Sequence, residues 1–100
     1  MSLQVRVSEN EQTVFEGQTD LPLELGRQAD RLETPYTLKR GNEQARVIVA
    51  RLEEYTVSRR HALLEVAPDN HMRITNLSAQ QPINVVEGRE LPPHDSCIMP

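Results

Sequence analysis

Leu3, Val5 and Val7 alternate with Gln4, Arg6 and Ser8, and no stretch of a dozen residues in the chain keeps an apolar period of 3.6. Alternation is the period of a strand buried on one face, and its repetition in short pieces rules out a helical fold. Thr13 to Phe15 reads as a return strand after a turn at Asn10-Glu11-Gln12, ending at Gly17. Leu21, Leu23 and Leu25 alternate again, with Pro22 suggesting an edge position, and the pattern stops at Gly26-Arg27. Residues 28–45 are polar and carry Pro35 and Gly41, which predicts one long loop with a helical turn around Ala29 to Leu32. Residues 46–50 form a strand, Leu52 and Tyr55 border a short extension before Val57, and residues 61–67 form a central strand. Pro68-Asp69-Asn70 turns the chain into a strand carrying Met72, Ile74 and Leu77. Residues 83–86, a hairpin turn at Glu87-Gly88, a short element at Leu91 and a strand over 96–99 complete the pattern. The expectation is one all-β domain over residues 1–100, an antiparallel β-sandwich.

At 100 residues the chain can bury a single core. The longest apolar run, Val47 to Ala50, is four residues, against the ~20 that a membrane helix needs. No charged start leads into an apolar stretch, so no signal peptide is read and no membrane partner is expected. The single cysteine, Cys97, excludes an internal disulfide framework and points to a reducing, cytoplasmic setting. Net charge is −4 and aromatic residues are 3%, which argues against nucleic acid as a partner. The charge is uneven. Residues 27–60 hold eight basic and five acidic residues, a net +3, against −7 for the remainder. Such a segment is either a solvated mixed-charge face or a surface presented to an anion.

Two short clusters bracket that segment: Leu25-Gly26-Arg27, closing a strand, and Val57-Ser58-Arg59-Arg60-His61-Ala62, opening one. With Ile74-Thr75-Asn76-Leu77-Ser78 following, the arrangement resembles the forkhead-associated (FHA) domain family over roughly residues 3–99. The resemblance implies an eleven-stranded β-sandwich that recognises phosphothreonine peptides through loops at one end, without catalysis and without a cofactor. Such modules are commonly joined to protein kinases or other signalling domains, so a Ser/Thr kinase or its substrate is the implied partner and a larger parent protein an open alternative. The chemistry suits the residues. A phosphothreonine carries about −1.5 to −2 charge and three acceptor oxygens, so recognition needs converging, rigid donors. Arg27 offers a planar, permanently charged fork, Ser58 a rotatable hydroxyl, Arg59 a second cation, and Gly26 freedom for close backbone approach. Arg60 is read as solvated. His61 is read as bracing the Ser58 loop by a hydrogen bond. A nucleophile–base pairing of Ser58 with His61 lacks an oxyanion-hole signature and an orienting acid.

The sequence also departs from the family. Arg27 and Ser58 lie 31 residues apart, an enlarged separation. The loop after Asn76-Leu77-Ser78 reads Ala79-Gln80-Gln81-Pro82 and lacks the family's Asn-Gly, leaving Asn84 as the candidate to hold a peptide main chain. The chain ends at Pro100, before the last strand the fold normally has. These departures keep open a phosphate-independent interaction or oligomerisation module on the same fold. His94 and Cys97, with His71, fall short of the four N/S ligands of a structural zinc site, so no metal is expected, and Cys97 reads as a small apolar strand residue.

Overall fold

The alternating segments become strands in a computed structural model that describes residues 2–85 and 88–99. They are β1 (Ser2–Glu9), β2 (Gln12–Asp20), β3 (Leu23–Arg27), β4 (Leu38–Arg40), β5 (Ala45–Ala50), β6 (Ala62–Val66), β7 (Met72–Asn76), β8 (Ile83–Asn84), β9 (Glu90–Leu91) and β10 (Ser96–Met99). The described residues contain no α-helix, and a single 3₁₀ turn covers Pro68–Asn70. No helix among them is long and apolar enough to cross a membrane.

One six-stranded sheet, in the order β10-β7-β6-β3-β5-β4, carries the molecule. Alternation along its strands divides it into two unlike faces. Leu23, Ala45, Val47, Ala62 and Leu64 form the buried cluster on one face. Leu3, Val5, Val7 and Phe15 of the long β1–β2 hairpin pack over it, joined by Ile83 of the β8–β9 ribbon. The architecture is therefore all-β and sandwich-like. The second layer is built from two separate two-stranded pieces. Asn10 and Glu11 both take positive φ, 51° and 67°, which matches the twist of a tight hairpin turn between β1 and β2.

The opposite face carries charged residues beside the buried Ile48 and Ala50. Register places Lys39 of β4 opposite Arg46 of β5, and Arg46 opposite Glu24 of β3.

Several details differ from the sequence expectations. Pro22 does not mark an edge: it sits in the bend before β3, which lies inside the sheet between β6 and β5. β3 and β5 run parallel, because the enlarged connection between them is long enough to carry the chain back to the same end. That connection is not one loop, since β4 forms within it and pairs with β5. The expected helical turn at 29–32 is replaced by a turn in which the Asp30 carboxylate accepts the Leu32 N–H (2.9 Å) and Glu33 N–H (3.2 Å). The side chain thereby competes with helix formation. Val86 and Glu87, part of the expected 83–86 strand and its turn, lie outside the described residues.

Asn76 ties the end of β7 to the second layer. It is fully buried, and its Nδ2 donates to the Gln81 carbonyl (2.8 Å) and the Leu91 carbonyl (3.0 Å). Its Oδ1 accepts the Ser78 N–H at 2.9 Å. An Asn76→Ala variant would leave the buried Leu91 carbonyl and the Ser78 N–H without a partner, while the Gln81 carbonyl keeps Ser78 Oγ (2.6 Å). We expect it to lose about 3 kcal/mol of stability, measured by urea unfolding.

Candidate functional site

The two clusters singled out in the sequence meet at one end of the sheet. The Arg27 N–H donates to the Ser58 carbonyl at 2.9 Å, and the His61 N–H to the Leu25 carbonyl at 2.8 Å. Gly26 permits this contact. A Cβ at that position would lie 1.9 Å from the Arg59 carbonyl oxygen, far inside any tolerable separation, and the obstacle is backbone.

Arg27 faces inward for most of its length. Its Nε donates to the Val57 carbonyl (2.8 Å) and its Nη1 to the Leu52 carbonyl (2.7 Å), while the Tyr55 ring lies 5.3 Å from the guanidinium carbon. Nη2 has no hydrogen-bond partner among the described residues. Arg27 thus fastens the 52–57 stretch.

Ser58 is half-buried, and its Oγ has no partner among the described residues. Its backbone N–H donates to His61 Nδ1 at 3.0 Å, so the imidazole meets the main chain of the loop and not the hydroxyl. Acceptance at Nδ1 requires that nitrogen to be unprotonated. Burial pushes the His61 pKa below its usual value of 6.5, which favours the neutral ring. Of the two adjacent arginines, Arg60 pairs with Glu24 through Nε, whereas the exposed Arg59 side chain has no partner among the described residues. Asn84 is exposed on β8, opposite Glu90 in register. Among the described residues no hydrogen bond joins Asn84 to the Ser58 loop, although its neighbour Ile83 lines a groove with Val57 and His61.

Beneath these loops lies a group of residues that the alternation pattern does not mark. All five N–H donors of Arg46 are engaged. Nε donates to Glu33 Oε2 (2.8 Å) and Nη2 to Glu33 Oε1 (3.0 Å), a forked pair. Nη1 reaches Glu24 Oε2 (3.0 Å) and the Arg59 carbonyl (2.9 Å), and Nη2 also reaches the Arg27 carbonyl (2.7 Å). One side chain therefore touches both clusters and the 28–37 loop at once. Glu33 additionally accepts the Ala29 N–H (2.7 Å) and Lys39 Nζ (3.0 Å). The Arg46 hydrogen bond, above all, holds the Glu33 carboxyl down at about 2, against 4.5 normally. The only trace of this group in the sequence is the basic excess of residues 27–60. Nothing in period or spacing says which of those charges is buried.

Comparison with protein-family models, with curated proteins and with solved structures finds no match for this chain.

Two pH effects follow from these groups, in separate windows. Glu33 binds a proton less readily folded than unfolded, so its contribution is present above about pH 4.5 and is lost as pH falls towards 2. A shift of that size corresponds to roughly 3 kcal/mol. We expect the unfolding midpoint to drop steeply between pH 5 and 3. Glu33→Gln should be less stable at pH 7 and flatter across that window, as read by thermal unfolding. His61 also binds its proton less readily when folded, so its contribution is present above pH 6.5 and is lost as pH falls through its lowered folded value. NMR of the imidazole should show the Nε2–H tautomer at pH 7.5 and a midpoint below 6.5. His61→Ala should cost ~1–3 kcal/mol, the penalty for leaving the Ser58 N–H unpaired.

Proposed function

We propose that this chain is a phosphothreonine-recognition module of the forkhead-associated type. The observation that carries the reading is the meeting of Gly26-Arg27 with Ser58–His61. These clusters lie 31 residues apart in sequence, yet they are locked together, with the Ser58 hydroxyl, the Arg59 guanidinium and Arg27 Nη2 lacking hydrogen-bond partners among the described residues. A doubly charged phosphate needs donors that are already ordered, because each side chain immobilised on binding costs affinity. Here the ordering is done beforehand by Arg46, Arg27 and His61, all of which grip the main chain of the loop.

In this reading Arg59 supplies the principal charge, Ser58 a short hydrogen bond, and Arg27 a combined role as fastener and partial donor. Asn84 is the candidate for the peptide main chain. A phosphate-independent interaction module is the second reading. What favours it is the inward engagement of Arg27 and the Tyr55 ring across its guanidinium.

The test is titration with one phosphothreonine peptide and its unphosphorylated twin. We expect Arg59→Ala to weaken binding about 30-fold, equivalent to ~2 kcal/mol, and Ser58→Ala about tenfold, both with an unchanged unfolding midpoint. Arg27→Ala should lower affinity and midpoint together, since it releases the 52–57 stretch. Equal binding of the two peptides by the wild-type chain would overturn this reading in favour of the second.

A further inference from the structure

The two edges of the six-stranded sheet are built differently. β4, at one edge, reads Leu38-Lys39-Arg40, and two cations in three residues keep a second copy of the strand away. The long hairpin strands of the second layer, β1 and β2, carry Arg6, Glu9, Glu16 and Asp20 and a bulge between Val7 and Ser8. Charge and bulges are the usual guards of a free strand edge. β10, at the other edge of the large sheet, has neither. It reads Ser96-Cys97-Ile98-Met99, with no charge and no proline, and Ile98 is 45% exposed.

The bonds to β7 fix which way the β10 main chain faces. The Asn76 N–H donates to the Asp95 carbonyl at 2.8 Å. Cys97 and Met99 follow Asp95 at a period of two, opposite Ile74 and Met72. These residues turn their N–H and carbonyl groups to β7, whereas Ser96 and Ile98 turn theirs outward. The far side of β7 gives the same alternation, since the Leu77 N–H donates to the His61 carbonyl at 2.8 Å. The free edge of β10 is therefore a row of two N–H groups and two carbonyls on an uncharged strand.

We propose that β10 pairs antiparallel with β10 of a second copy of the chain, across a two-fold axis, and joins the two large sheets edge to edge. An outward residue exchanges bonds only with another outward residue, which leaves three registers. Ser96 opposite its own counterpart brings Ile98 to His94, whose N–H is already given to the Asn76 carbonyl (2.9 Å). Ile98 opposite its own counterpart brings Ser96 to Pro100, which has no N–H. Ser96 opposite Ile98 uses every outward group of both strands. In that register Cys97 lies on the axis and faces its own counterpart in a non-hydrogen-bonded pair, with Cα atoms ~4.5 Å apart. Charge selects the second copy as occupant. A charged strand finds no counter-charge on β10, whereas β10 matches itself group for group without setting like charges together. Four residues a side make a small contact, so the dimer is weak, with a Kd on the order of 100 μM. The inference does not rest on the phosphothreonine reading.

Sedimentation equilibrium of the full chain from roughly 10 μM to 1 mM tests it. A reversible dimer is expected. Ile98→Lys and Ser96→Lys each set cations at the seam, and each should weaken the dimer about tenfold or more. Both side chains are exposed, so the unfolding midpoint should not move, and either variant suffices if the other fails to fold. Cys97 is the single cysteine, and the Cα separation on the axis lies within disulfide reach. Diamide takes up the two electrons and two protons released as two thiols join. It should trap the wild-type dimer in the proportion that sedimentation reports, and correspondingly less of either lysine variant. A chain that stays monomeric to about 1 mM would overturn the proposal. So would a dimer that both lysine variants leave intact, since its interface lies elsewhere. A dimer that the variants weaken but diamide does not trap would overturn the register that puts Cys97 on the axis.

Discussion

The guanidinium of Arg46 is the interaction on which this end of the molecule depends. Its side chain is only 14% exposed, and a cation so placed is costly unless every donor is answered and a counter-charge is close. Both conditions are met. The two carboxylates come from different parts of the chain, Glu24 from the neighbouring strand and Glu33 from the connection to β4. The two carbonyls come from the clusters that flank the candidate site. Removing any one partner leaves a charge or a dipole buried without an answer, so the four contacts stand or fall together. This explains how a 17-residue polar stretch between β3 and β5, part of it loop, can be fixed without a core of its own.

Gly26 and His61 complete the same device by different means. Gly26 acts by absence, since any side chain would displace the Arg59 carbonyl that Arg46 needs. His61 acts as an acceptor, which only a neutral ring can be. Its own N–H and carbonyl are also engaged, with the Leu25 carbonyl and the Leu77 N–H (both 2.8 Å), so the residue is anchored in the sheet on both sides before its ring reaches the loop. Backbone rigidity at Ser58 is thus inherited from the sheet. A loop of the same sequence without these grips would pay the ordering entropy on binding.

The all-β class and most strand positions were legible because half-burial imposes a period of two, as along β1, while β5, with Val47 and Ile48 both buried, shows instead as a continuous apolar run. What alternation cannot report is pairing partner and direction. The parallel β3–β5 pair and the interior place of β3 depend on which strands meet, and that is decided by the long connection between them. β4 was missed because Leu38-Lys39-Arg40 is three residues with one apolar side chain, too short to show a period. Within the site, Gly26, Arg27, Ser58 and His61 stood out as residue types in a pattern. Arg46, Glu24 and Glu33 did not, because a buried ion and a solvated one are spelled with the same letters. Their burial exists only once β3, β5 and the 28–37 loop have been brought together.

That same distinction changes the meaning of the basic segment. Eight basic residues in 34 suggest a diffuse cationic surface, of the kind that attracts polyanions through many screened contacts. In the fold most of them are engaged. Arg46, Lys39 and Arg60 pair with Glu33 and Glu24, Arg27 and Arg40 donate to backbone carbonyls, and Arg51 lies 5.9 Å from the Tyr36 ring centre. Among the described residues of this segment, the Arg31 and Arg59 side chains alone remain without a hydrogen-bond, ion-pair or ring partner. At the Ser58 turn what is left is one cation, Arg59, next to a hydroxyl, not a charged field. Such an arrangement selects by position, since one guanidinium and one hydroxyl can answer a compact anion at one place and offer little to an extended one. Its affinity should accordingly come from short, pre-ordered contacts and from whatever apolar surface the ligand covers nearby. For an anion of the kind proposed, long-range attraction would contribute little, because the chain as a whole carries net negative charge.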